Sequence, residues 1–186
     1  GNGYDDAWIK EAEKRGLANL TSTADALPAY TAKKNMDLFI KHGIYTKEEI
    51  EARAEIHVEN YVTTIGIEAN TMSDMIRHQI LPAVSRYASD LSERAWKKEQ
   101  TGVSAKYERT TAKQIGDLTD KLLDAAEKLE SDLKAVPSDS VKAMDYTHKT
   151  ILSDMADARA AADELETLTD RAYWPFPVYS DLLFYI

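Results

Sequence analysis

Four histidines and a series of glutamates are the residues of this sequence best suited to chemistry, and neither set is spaced for it. His42, His57, His78 and His148 have no second histidine three or four residues away, so no pair faces a metal ion from one helix. Glu48, Glu51, Glu55 and Glu59 recur at helical spacing, the pattern of a solvated face. Acid–base work needs a cleft that shifts a carboxyl pKa, and spacing alone does not make one. Gly1-Asn2-Gly3 lacks the third glycine and the Gly-Lys-Thr of a phosphate loop and reads as a turn. Serine-nucleophile motifs are absent, and the methionines sit within apolar stripes, where core packing explains them. The residues thus nominate no catalytic, cofactor-binding or metal-ligating group.

One stretch does stand out. Trp174-Pro-Phe-Pro-Val-Tyr-Ser-Asp-Leu-Leu-Phe-Tyr-Ile186 holds five aromatic residues, two prolines and one charge. Prolines exclude it from a helix interior, and aromatic side chains bury large areas. An apolar strip of this kind either folds back on its own domain or docks elsewhere. Trp174, Pro175, Phe176, Pro177, Tyr179, Leu182, Leu183 and Phe184 are therefore the candidate interface residues.

Composition narrows the setting. A length of 186 residues suits one domain, and 44% hydrophobic with 30% charged residues is a globular balance. A net charge of −9, with basic residues interspersed among acidic ones, argues against a nucleic-acid partner. No apolar run approaches a membrane span, and the N-terminus lacks a signal-peptide pattern. The lack of cysteine suits a reducing compartment, and the expected location is cytoplasmic.

The elements that must position any site read as helices. Asp5 to Arg15 and Lys33 to His42 form short amphipathic segments, each followed by a glycine, with Leu17 to Thr31 less regular between them. Thr46-Lys-Glu-Glu49 is a capping box that opens a long helix. Ile50, Ala54, Val58, Tyr61, Ile65, Met72, Met75, Ile76 and Ile80 mark its apolar face, with a kink expected near Pro82. After a turn at Gln100-Thr101-Gly102, a second stripe runs from Ile115 to Val136. Pro137 ends that helix, Ser138 or Ser140 caps the next, and Val141 to Leu165 gives a third stripe.

Charge pairs are expected at Glu49–Arg53, Asp117–Lys121, Asp124–Lys128 and Glu130–Lys134. The expected fold is all-α: an antiparallel bundle of three long helices, preceded by two or three short ones and followed by an extended aromatic and proline-rich tail. In ranges, one domain of residues 1–186 has short helices over 1–45, the bundle over 46–172 and the tail over 173–186.

The tail also carries a resemblance. Trp-Pro-Phe-Pro-Val-Tyr-Ser-Asp-Leu-Leu-Phe is similar to the C-terminal signature of type III glutamine synthetases, departing at Val178 and Ser180, where that family commonly has threonine and glycine. Two further blocks agree, Gly1 to Leu20 and Glu59 to Tyr87. The resemblance implies a parent enzyme that joins ammonia to glutamate through a γ-glutamyl phosphate, using ATP and a divalent metal, Mg or Mn. That chemistry would belong to a β-rich region N-terminal to these residues, and no catalytic residue carries over.

This chain is then expected to be a non-catalytic structural and assembly domain. Its implied partners are the parent's catalytic region and neighbouring subunits of a homo-oligomer, with neither nucleic acid nor membrane. The alternative is a free-standing helical scaffold that binds partners through its seams.

Overall fold

The computed structural model describes residues 3–183, and every regular element among them is helical. Three short helices come first: α1 (Asp6–Lys14), α2 (Thr23–Tyr30) and α3 (Lys33–Lys41). Asp5 caps α1, accepting a hydrogen bond from the Ala7 amide at 3.0 Å, and Gly16 and Gly43 adopt the left-handed conformation after α1 and α3. The segment read as irregular contains α2. Its start is set by Ser22, whose hydroxyl accepts from the Asp25 amide at 3.0 Å, and Pro28 is tolerated in its second turn.

The long elements follow. α4 (Lys47–Met75) opens with the expected capping box: the Thr46 amide donates to Glu49 Oε2 at 2.8 Å, and the Glu49 amide to Thr46 Oγ1 at 3.2 Å. It passes without a break through Gly66 and a π-helical segment, Ile76–Ile80, into α5 (Leu81–Gln100). α6 (Lys106–Lys134), α7 (Ser140–Tyr146), a second π-helical segment (Thr147–Ile151), α8 (Leu152–Leu168) and α9 (Tyr179–Leu183) complete the order.

The π-helical segment answers the question of Pro82. Proline has no amide to donate, and its ring crowds the carbonyl four residues earlier, here that of His78. The hydrogen-bond register widens over Ile76–Ile80, where the Leu81 amide reaches back to the Ile76 carbonyl. The extra residue per turn absorbs the misfit within a continuous helix.

Two compact units emerge. The first comprises residues 1–63 and 138–145, the second residues 64–137 and 146–186, so that α4 and α7 contribute residues to both. In the first unit, Ile50 and Val58 of α4 and Ala143 and Met144 of α7 are buried, whereas α1, α2 and α3 bury no residue.

The second unit holds the main core, where α6 packs against both α5 and α8. Connections of a few residues between these helices make sequential neighbours antiparallel, as the stripes require. Ile76, Val84, Leu91, Ile115, Leu122 and Leu165 are among its buried members, and Ala69, Leu129 and Ile151 form a smaller cluster.

Three local expectations are corrected. Asp139, not Ser138 or Ser140, caps α7, accepting from the Lys142 amide at 2.9 Å; its short carboxylate reaches the third amide of the helix. Val141 is exposed, because the buried stripe of the third helix begins at Ala143 and Met144. The tail is not extended throughout, since residues 179–183 close a short helical turn as α9. Val178 and Asp181 explain the turn: the Val178 amide donates to Asp181 Oδ2 at 3.0 Å, a side-chain cap at its start.

Leu122 lies at the centre of the main cluster with no exposed surface. Leu122→Ala is expected to destabilise the protein by about 2–5 kcal/mol, read from the urea midpoint at an unchanged slope.

Candidate functional site

The aromatic segment leaves α8 through a tight turn. The Thr169 hydroxyl donates to the Leu165 carbonyl at 2.7 Å, and the Asp170 carboxylate accepts from the Ala172 amide at 2.8 Å. This reversal brings Tyr173 onto α5, where its ring lies 5.0 Å from that of Tyr87 and its hydroxyl donates to Asp90 Oδ2 at 3.0 Å. Burial, together with the Tyr107 hydroxyl 3.3 Å away, pushes the Tyr87 phenol up to about 12, so it stays protonated as a hydrogen-bonding core residue.

The interface candidates part into two sets. Trp174 and Phe176 are half-buried against the main core and meet edge-to-face at 6.0 Å, while Pro175 and Pro177 stand at the surface. Tyr179, Leu182 and Leu183 are 82%, 67% and 69% exposed, so this end of the strip is left uncovered. Phe184 lies outside the described residues. Asp181 ties α9 down by pairing with Arg171. Ser180 lies within α9, and no residue other than glycine takes a positive φ among the described residues; the departure from glycine at this position is therefore unstrained.

Trp174, Phe176 and Pro177 form one wall of a groove of about 550 Å³, whose other walls come from α4, the first π-helical segment and α8. Met72, Met75, Ile76 and Met155 give it an apolar floor, and Glu68, Arg159, Asp163 and Glu166 stand among its lining residues. Arg159 is already held by Asp163 at 3.2 Å. The lining is that of a packing surface and offers no set of convergent acids, bases or nucleophiles.

The histidines and glutamates singled out for chemistry stay apart. His42 closes α3, His57 meets the Tyr30 ring at 5.9 Å, His78 lies 3.5 Å from Asp74 on an exposed face, and His148 sits in the second π-helical segment. Glu48, Glu51, Glu55 and Glu59 are all exposed, with Glu51 3.6 Å from Lys47. Among the described residues no three His, Cys, Asp or Glu side chains gather as a metal site, and no helix is long and apolar enough to cross a membrane.

Charged residues instead join helices. Arg77 grips Glu130 through two hydrogen bonds of 2.8 and 2.9 Å, and the Ser73 hydroxyl donates to the same carboxylate at 2.5 Å. These three donors hold the Glu130 carboxyl down to about 2. Lys98 pairs with buried Glu108, Arg109 with Glu99, and Lys128 with Asp154, which is 1% exposed. Burial pushes the Asp154 carboxyl up, against the pull of Lys128 and with the neighbouring Asp132 carboxyl adding to the rise.

Spacing along one helix missed these contacts. Asp117 pairs with Lys113, Lys128 with Asp154 and Glu130 with Arg77, while Glu49 is engaged in its cap and Arg53 stacks 4.7 Å over the Tyr45 ring. A signal was nevertheless present. Thr147, Ile151, Asp154, Ala158, Ala161 and Leu165 form one buried stripe, and a carboxylate in the phase of a stripe must find a cation.

The comparisons with known proteins follow the helical architecture. Residues 1–99 match the glutamine synthetase C-terminal domain family. The chain belongs to that family. Similarity extends over 99% of its length in three relatives: it is 37% identical to a glutamine synthetase of Butyrivibrio fibrisolvens, 28% identical to the type-3 glutamine synthetase of Dictyostelium discoideum and 27% identical to a glutamine synthetase of Bacteroides fragilis. The chain spans about a quarter of these relatives, 27%, 26% and 26% of their lengths. The resemblance read from the three sequence blocks is thereby borne out.

The two carboxylates of this glutamine synthetase domain should respond oppositely to pH. Glu130 is lowered by folding, so its contribution is present above its unfolded pKa near 4.5 and fades as pH falls toward about 2. Glu130→Gln is expected to cost about 1–2 kcal/mol at pH 7, after allowance for partial exposure of the pair, with the difference from wild type shrinking under acid. Asp154 is raised, so folding opposes its ionisation and stability falls as pH rises past its unfolded value. Asp154→Asn should therefore gain on wild type from about pH 4 upward, checked by urea titrations at several pH values.

Proposed function

We propose that this chain serves as the non-catalytic structural and assembly domain of a type III glutamine synthetase. The observation that carries the reading is the match itself: family similarity over residues 1–99, and relatives named glutamine synthetase that align with 99% of the chain while being about four times as long. One of those relatives is named a type-3 glutamine synthetase.

In this reading a catalytic region outside these residues ligates ammonia to glutamate with ATP and Mg or Mn, in the cytoplasm. The helical domain contributes no ligand to nucleotide or metal. Its charged side chains join helix to helix, and its chemistry is that of packing. Partners are the catalytic region and neighbouring subunits of a homo-oligomer.

The exposed end of the aromatic segment supports the assembly role. Tyr179, Leu182 and Leu183 present apolar surface on a turn whose one carboxylate is neutralised by Arg171, a composition that favours contact with another protein surface. Trp174 and Phe176 anchor that turn to the core through their own burial.

Two measurements test the proposal, the first on the full-length protein carrying this sequence. Leu182→Lys with Leu183→Lys should lower the oligomer mass seen by light scattering while the helical circular dichroism is retained. Residues 1–186 alone should form no glutamine from glutamate, ammonia, ATP and Mg. Unchanged mass refutes the assembly role, and glutamine formed by the chain alone refutes the non-catalytic one.

A further inference from the structure

Apolar surface is also uncovered outside the aromatic segment. Trp8, Ile9, Leu17, Leu20, Leu38 and Ile40, all within the first 45 residues, are each between 40% and 53% exposed. α1 and α3 are amphipathic, yet neither buries a residue. Each is nine residues long, and helices shorter than about 12–15 residues are marginal in water without a surface to pack on. Their caps and the Glu11–Arg15 and Lys33–Asp37 pairs supply only local support, in exposed positions. Short helices built this way need a cover.

Charge and length indicate the cover. Residues 1–45 contain six acidic side chains (Asp5, Asp6, Glu11, Glu13, Asp25, Asp37) and six basic ones (Lys10, Lys14, Arg15, Lys33, Lys34, Lys41), a net charge of zero, so the whole −9 lies in residues 46–186. An apolar face on a segment of zero net charge avoids the repulsion that a strongly acidic chain would meet on close approach to another surface. The relatives align with 99% of this chain and carry nearly three quarters of their length besides. Polypeptide joined covalently to a face is present at an effective concentration in the millimolar range, so a modest apolar contact suffices to hold it there.

We propose that the apolar faces of α1 and α3, centred on Trp8, Ile9, Leu38 and Ile40, form an intramolecular docking surface for the rest of a glutamine synthetase polypeptide. This rests on the domain reading above and adds which surface faces the remainder of the same chain. Trp8 is the natural anchor, an aromatic side chain flanked by Arg15, whose guanidinium lies 5.7 Å from the ring centre.

Amide hydrogen exchange on the full-length protein is the test. The amides of α1 and α3 are expected to exchange at least roughly tenfold more slowly than an uncovered helix of that length allows. Trp8→Glu and Ile40→Glu should each abolish the slowing in both helices, while the amides around Leu122 keep their protection as the control for folding. Fast exchange of α1 and α3 in the unsubstituted protein overturns the proposal. Slow exchange that disappears on dilution together with a fall in oligomer mass also overturns it, by assigning the face to a second copy. Neither result depends on the turnover assay or on Leu182 and Leu183, so the assembly role stands or falls separately.

Discussion

In the second unit α5, α8 and both π-helical segments pack on α6. Its stripe Ile115, Leu118, Leu122, Ala126 and Leu129 is buried along its length because α5 covers it from one side and α8 from the other. The cross-helix ion pairs Arg77–Glu130, Lys98–Glu108, Arg109–Glu99 and Lys128–Asp154 each have one member on α6 as well. Apolar burial drives the assembly, but it is non-directional. The pairs fix which turn of each neighbour stands beside which turn of α6, since a carboxylate in a buried phase tolerates only a register that brings it a cation.

This dependence sets what could be read from the sequence. A stripe repeating at three and four residues is a property of one segment, so the long helices and their antiparallel order were legible from Ile50 to Leu165. Capping at Thr46 and Glu49 was legible for the same reason, as a bond between residues three apart. The ion pairs were not, because Glu130 meets Arg77 across 53 positions, and a helical wheel shows only partners on its own helix. α2 was obscured by Pro28, which reads as a breaker, although the Ser22 cap had already fixed the first turn.

The two π-helical segments lie on the same boundary between local and tertiary causes. At Ile76–Ile80 the cause is partly visible in sequence, since Pro82 forbids the regular bond to His78. At Thr147–Ile151 no proline follows. Thr147 and Ile151 at its ends are both buried, as are Asp154 and Ala158 in the next turns. The cause there lies in burial within the second unit, which no local motif announces.

The candidate site shows a similar division. Aromatic content and two prolines marked 174–186 as a strip that either folds back on its own domain or docks elsewhere, and the strip divides at Pro177. Trp174 and Phe176 precede it and complete the core, whereas Tyr179, Leu182 and Leu183 follow it on a turn held by Asp181 and remain at the surface. Composition could not separate them, because the division is made by the reversal at Asp170, which aims the first aromatics at α5 and the groove. The segments α1 and α3 were as amphipathic as the long helices, and their periodicity promised burial equally. Nine residues offer only two to three turns of apolar face, too little to fold around one another, so periodicity identifies a face and length determines whether the chain alone can cover it.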